Sequence, residues 1–145
     1  WHVFMGEYAH NIDRKGRLIM PAKFREDLGE HVVVNRGLDG CLYVYTAKQW
    51  ETVYQKLSAL PSTNRDARMF QRMMLSKAAE VDLDSQGRIL IPRTLIELAG
   101  LEKECLIVGM ANHVEIWSKE RWMQLEEEQS GSFEEAAEAL NGFME

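Results

Sequence analysis

The sequence predicts an α+β fold of two equivalent halves, with strands in antiparallel hairpins, small helices at their ends, and one β-barrel shared across an internal pseudo-two-fold axis. Three observations predict it. The stretch DRKGRLIMP, Asp13 to Pro21, returns as DSQGRILIP, Asp84 to Pro92, with identity at Asp13/Asp84, Gly16/Gly87, Arg17/Arg88 and Pro21/Pro92. The same offset of 71 pairs Gly29 with Gly100, and after a one-residue insertion an offset of 72 pairs Tyr45 with Trp117 and Trp50 with Trp122. Chance repeats a short motif easily but not an ordered series of this kind. Each half, finally, has too few strands for a stable sheet of its own, and sharing one barrel solves that.

The elements follow from local rules. GEYAHNID and KAAEVDLD partly alternate apolar and polar residues, as strands with one buried face do. DRKG and DSQG carry Asp at the first and Gly at the fourth position of a type I turn. RLIMP and RILIP then read as short return strands, each closed by a Pro that cannot donate to a ladder and suits a helix's first turn. PAKFREDLG and PRTLIELAG become helices of about two turns ended by a glycine C-cap. HVVVNRGLDGCLYVY and ECLIVGMANHVEIW read as hairpins turning at GLDG and near GMAN, each followed by a helix that carries a Trp. Between the halves, Thr63 or Asn64 is placed to cap a helix whose Met69, Phe70, Met73 and Met74 form an apolar stripe, expected to pack into the core. SFEEAAEALNGFM, finally, has helical patterning with Phe133, Ala136, Ala137 and Leu140 on one face.

Length and charge narrow the function classes. With 145 residues the chain forms one domain of modest core. No apolar run of the ~18 residues a membrane helix needs is present, and no secretory leader of the basic-then-apolar kind is legible. Cys41 and Cys105 are too few for a disulfide scaffold, which fits reduced thiols in a cytosolic protein. His2, His10, His31 and His113 show no ligand spacing with them, so no metal site is expected. Net charge is −6, yet Ser118 to Glu145 alone holds 8 acidic and 2 basic residues, which leaves the rest balanced at 15 of each sign. Within that neutral body Arg14, Lys15, Arg17, Lys23 and Arg25 stand against Asp13 alone, a local +4 able to bind phosphate.

Catalysis is the weaker reading. Asp13 and Asp84 could act as paired carboxylates, but each precedes an Arg by four residues across a tight turn, where an ion pair or turn cap is the ordinary role. No phosphate-binding Gly-rich loop, nucleophile signature or metal cluster appears, so neither catalytic residue nor cofactor is assigned. The basic turns carry more. Gly16 and Gly87 let the backbone turn, and the planar forks of Arg17 and Arg88 suit phosphate or the O6/N7 edge of guanine. Arg14 and Lys15 add charge at the first tip, where the second has Ser85 and Gln86, which can hydrogen-bond to DNA but attract it less. The structural alternative is that Asp13 and Asp84 pair with these arginines only to stiffen the turns, and both roles can coexist.

The doubled Asp-x-x-Gly-Arg turn with its Pro-led helix, together with KFRE, GLDGCLYVY, LEKECLIVG and the intervening LPSTNRDARMFQRMML, resembles the MraZ family of bacterial regulators, from Phe4 into the acidic tail. The resemblance implies tandem AbrB-like swapped-hairpin halves interleaved into one barrel, both carried by a single chain. It implies a first repeat over 4–50, connecting helices over 51–77, a second repeat over 78–122 and an acidic helical tail over 123–145. It also implies a cytoplasmic, nucleoid-associated regulator, usually a repressor, of its own promoter and of the division and cell-wall gene cluster. Such a protein binds direct repeats in double-stranded DNA as a ring-shaped homo-oligomer and needs no membrane. The family's DNA-reading arginines fall on Arg17 and Arg88, with Arg14, Lys15 and Gln86 beside them, and its turn acids on Asp13 and Asp84. The runner-up is an AbrB-like antitoxin that binds DNA through its barrel and a toxin through its acidic tail. Tandem halves and a helical tail argue against it, since such antitoxins are short single-copy chains with extended tails.

Overall fold

The computed structural model describes residues 3–142, so Trp1, His2 and the last three residues of the tail lie outside the described residues. The first half runs β1 (Glu7–Asn11), β2 (Arg17–Ile19), α1 (Ala22–Leu28), β3 (His31–Arg36), a 3-10 turn (Leu38–Gly40), β4 (Leu42–Thr46) and α2 (Ala47–Ser58). After α3 (Arg65–Lys77) the plan repeats as β5 (Ala79–Asp82), β6 (Arg88–Leu90), α4 (Arg93–Ala99), β7 (Glu104–Met110), β8 (His113–Ser118) and α5 (Lys119–Gln129), and α6 (Phe133–Ala139) follows. Even the caps repeat. Thr46 Oγ1 accepts from the Gln49 amide at 3.0 Å to start α2, and Ser118 Oγ accepts from the Arg121 amide at 3.1 Å to start α5. Asn64, one of the two residues expected to cap α3, accepts from the Ala67 amide at 3.0 Å.

The mixed α+β class and the antiparallel pairing agree with the sequence. β1, β7, β8, β4, β3 and β5 form one six-stranded sheet in that order, and β2 pairs with β6 in a separate two-stranded ribbon. The hairpins β3–β4 and β7–β8 stay within a half. Every other pairing crosses between halves: β1 lies on β7 with Ala9 opposite Leu106, β5 on β3 with Val81 opposite Val32, β4 on β8, and β2 on β6. Two expectations are corrected here. The six-stranded ladder stays open between β1 and β5, so the described strands form no closed barrel. RLIMP and RILIP, moreover, are not return strands of local hairpins, because each pairs with the other instead of with the strand before it.

The period of two in the ribbon explains why it sits where it does. Leu18, Met20, Ile89 and Ile91 are buried, while Arg17, Ile19, Arg88 and Leu90 alternate with them on the other face. The buried face meets Val32, Val34, Leu42, Val44, Ile107 and Ile116 from the sheet and Phe24, Leu28, Leu95 and Ala99 from α1 and α4 in one core. The rings of Phe4 and Tyr8 meet Phe24 edge-on at 5.5 and 5.3 Å. A smaller cluster joins Cys41, Val108 and Trp117 to Tyr43, Leu106, Trp122 and Leu125. Both cysteines are free and buried, and burial pushes the Cys41 thiol up to about 12 and the Cys105 thiol up to about 11.

The stripe on α3 does not pack as the sequence suggested. Met69 is 50% exposed, Phe70 45% and Met73 41%, and no residue of α3 is buried. The helix is tied by bonds from Asn35 Nδ2 to the Met74 carbonyl at 2.9 Å, from Gln71 Nε2 to the Leu57 carbonyl at 2.6 Å and from Arg68 Nη1 to the Ser62 carbonyl at 2.8 Å. It therefore stands as one wall of a groove against α2, with nothing laid over it among the described residues.

Candidate nucleic-acid interface

Both turns are built alike, atom for atom. In the first, Asp13 Oδ1 accepts from the amides of Lys15 (3.0 Å) and Arg17 (2.8 Å), and its Oδ2 accepts from Arg17 Nε at 2.7 Å. In the second, Asp84 Oδ1 accepts from the amides of Gln86 and Arg88, both at 2.9 Å, and its Oδ2 accepts from Arg88 Nε at 2.8 Å. The backbone closes each loop through the amides of Gly16 and Gly87, which donate to the Asp13 and Asp84 carbonyls at 3.0 and 2.9 Å. Gly16 and Gly87 take φ of +87° and +78°, a conformation that L side chains rarely adopt. The carboxylates are thus turn caps that also brace the arginines.

The brace uses only Nε, which leaves the terminal amino groups of each fork for an outside acceptor. Asp13 and Asp84 are both held below the usual carboxylate range, first by the backbone amide of Arg17 or Arg88 and then by the guanidinium that follows. A depressed folded value means that the turns gain stability above the unfolded carboxylate pKa of ~3.9 and lose it as pH falls through the folded values. The expected outcome is an NMR titration in which the Arg17 and Arg88 amide signals hold steady above about pH 5 and move together only in acid. Signals that move with an ordinary aspartate midpoint would remove the brace.

The ribbon then brings the turns together. In its register Arg17 faces Leu90, Leu18 faces Ile89 and Ile19 faces Arg88. The Met20 amide donates to the Gly87 carbonyl and the Ile91 amide to the Gly16 carbonyl, both at 2.8 Å, so each turn is tied to the other half's strand. Arg17 and Arg88 share the face opposite the core, diagonal to one another and on the order of 8 Å apart along the ribbon by ordinary strand geometry. Arg14, Lys15, Ser85 and Gln86 are exposed at the two tips.

Sequence reasoning counted Arg25 in the basic stretch but did not place it at the second turn. Arg25, on α1, donates from Nε to the Met20 carbonyl at 2.8 Å and lies so close to Gly87 that a Cβ there would come within 2.3 Å of it. The first half thus lends a guanidinium to the second half's turn. At the equivalent place beside Gly16 the chain has Ile96, whose Cδ1 would lie 3.0 Å from such a Cβ. The repeat offset of 71 pairs Arg25 with Ile96. That mismatch was the available signal, but only the crossed pairing says which turn Arg25 serves.

Comparison with known proteins gives the arrangement a family. The family model described as "MraZ protein, putative antitoxin-like" matches the chain twice in tandem, over residues 3–73 and 74–144. Two relatives, each bearing the name "Transcriptional regulator MraZ", come from Limosilactobacillus reuteri strain DSM 20016 and from Limosilactobacillus reuteri subsp. reuteri strain JCM 1112. Each is 55% identical over 139 residues, covering 96% of this chain and 98% of the relative. With two tandem matches that span nearly all of its length, and a doubled Asp-braced arginine turn at its centre, the chain belongs to the MraZ family.

Proposed function

We propose that this chain is a sequence-specific DNA-binding transcriptional regulator. It acts as a repressor on its own promoter and on the division and cell-wall gene cluster, and assembles as a ring on direct repeats. The observation that carries the reading is the ribbon, on which two identically braced arginines, Arg17 and Arg88, share one face. Arg14, Lys15 and Gln86 extend the contact, with Asp13, Gly16, Asp84 and Gly87 as the turns' supports. The name borne by the Limosilactobacillus relatives agrees with it. The crossed pairing of the halves supports an AbrB-like swapped-hairpin origin for the fold.

One subunit with so few basic side chains on a balanced body binds DNA weakly and with strong salt dependence. Several subunits on several repeats gain affinity through effective concentration. Titration of the protein's own upstream DNA, with the number of repeats reduced one at a time, tests this. Affinity should fall by at least about tenfold when the first repeat is removed; affinity indifferent to repeat number would mean independent binders and no ring.

A toxin partner is the second reading, favoured by the family's antitoxin-like description and by the exposure of Phe133 (79%) and Leu140 (63%) on the acidic tail. It requires a host protein that leaves the complex when α6 is deleted while DNA binding persists.

A further inference from the structure

We propose that Leu90 is a specificity-determining residue of the DNA contact and reads the C5-methyl group of a thymine in the major groove. The inference rests on the DNA-binding reading above and adds to it a base that the arginines do not read. On the outer face of the ribbon Arg17 lies opposite Leu90 and Ile19 opposite Arg88, so two guanidinium forks occupy one diagonal and two aliphatic side chains the other. Leu90 is 55% exposed, although its strand neighbours Ile89 and Ile91 are buried. Directly opposite residues of an antiparallel pair have Cβ atoms about 5 Å apart, which sets Leu90 beside the braced fork of Arg17. Leu90 also reaches the first turn, where its Cδ1 would lie 3.8 Å from a Cβ at Gly16. The first turn thus borrows an aliphatic side chain from the second half, as the second turn borrows Arg25 from the first half.

An exposed leucine elsewhere on the surface would carry no meaning. On this face it does, because a leucine can neither donate to a phosphate nor accept from a base amine. A ribbon that only gripped the DNA backbone would gain from Lys, Arg, Ser or Thr at this position. The major groove is about 12 Å wide and admits a two-stranded ribbon, and the methyl group it displays is that of thymine. Contact with that methyl removes apolar surface of both partners from water. The opposite corner of the ribbon differs. Ile19, the repeat mate of Leu90 at the offset of 71, is less exposed, and Arg25 is bonded to the carbonyl of the next residue, Met20. The two ends of the outer face are therefore unlike, one with an exposed aliphatic chain and the other with an added guanidinium. That difference gives a pseudo-two-fold ribbon one preferred direction along the duplex.

Full-length chains and a labelled duplex carrying one repeat of the protein's own upstream DNA test it at low salt. Each thymine of the repeat is replaced in turn by deoxyuridine, which pairs alike and lacks only the methyl. For the unsubstituted chain one such replacement should weaken binding by about three- to fivefold, the worth of one buried methyl. Leu90→Ala should bind the original duplex about as weakly and should ignore that replacement, so that the two changes together cost no more than either alone. Leu90→Met keeps an aliphatic contact and should restore the sensitivity. A Leu90→Ala chain that binds every duplex more weakly but keeps the deoxyuridine effect overturns the inference, since Leu90 would then act on folding alone. So does an unsubstituted chain that binds the repeat while no thymine replacement matters; DNA contact by the arginines stands in that case. If instead Arg17→Ala/Arg88→Ala chains bind the repeat unaltered, the DNA-binding reading has failed, and this inference with it.

Discussion

Replacing Arg17 and Arg88 together by Ala should abolish binding to promoter DNA at moderate salt, with affinity for one repeat falling by at least about a hundredfold. Each bidentate arginine contact is worth about 1–3 kcal/mol of recognition, and a subunit loses two. The fold should tolerate the change. Both side chains are about a third exposed, and Asp13 and Asp84 keep their bonds from the turn amides when the guanidinium is gone. Salt titration tells which part of DNA the forks meet. If both grip phosphate, the slope of log affinity against log salt should shrink by about 1.8, at roughly 0.9 per contact. If they read guanine edges, the slope should hold while discrimination between operator and random sequence collapses. Arg17→Lys/Arg88→Lys keeps the charge and loses the fork, so it should restore the first behaviour and not the second. Binding that survives the double Ala change unaltered would sink the assignment of the turns.

The two turns need not contribute as unequally as their sequences imply. DRKG against DSQG makes the first tip the stronger, with Arg14 and Lys15 facing Ser85 and Gln86. Arg25 narrows that gap, since the chain crossing sets its guanidinium against Gly87. Each turn thus has at least one basic group besides its braced arginine, supplied locally at the first and from the other half at the second.

What could be read from the sequence was whatever local chemistry determines. The Asp–Gly turns, the Pro-led helices with their glycine caps, the two hairpins and the Asn64 cap all depend on residues within a few positions of one another. The partners of β2 and β6 depend on chain crossing. RLIMP looks like a return strand because apolar alternation specifies which face is buried, not which strand lies alongside. The place of Arg25 beside the second turn was hidden for the same reason. The Met stripe failed differently: an amphipathic pattern records that a face prefers apolar company, and α3 finds only a groove wall within this chain. The residues of the candidate site were therefore nameable from sequence, while their assembly into one ribbon was not.

Leu18→Ala should be the most damaging single truncation for both fold and site. Leu18 is fully buried and faces Ile89 across the ribbon, so it joins the halves at the point that also aligns Arg17 with Arg88. Losing a buried Leu side chain costs about 2–5 kcal/mol, because the cavity left behind collapses only in part. Against a total stability on the order of 5–15 kcal/mol this removes a large share. With an m-value of about 1–3 kcal/mol/M, the urea midpoint should drop by about 1 M or more. Leu90→Ala is the matched control: it lies on the same ribbon opposite Arg17, but its side chain is 55% exposed, and its change should stay within about 0.5 kcal/mol. Leu18 and Ile89 touch the same core, so Leu18→Ala with Ile89→Val should depart from the sum of the two single changes. DNA affinity should fall in Leu18→Ala even at temperatures where circular dichroism reports a folded chain, since the loosened ribbon no longer fixes the distance between the two forks. Equal effects of Leu18→Ala and Leu90→Ala on the midpoint would mean that the ribbon does not fasten the halves, and that the six-stranded sheet alone holds the turns in place.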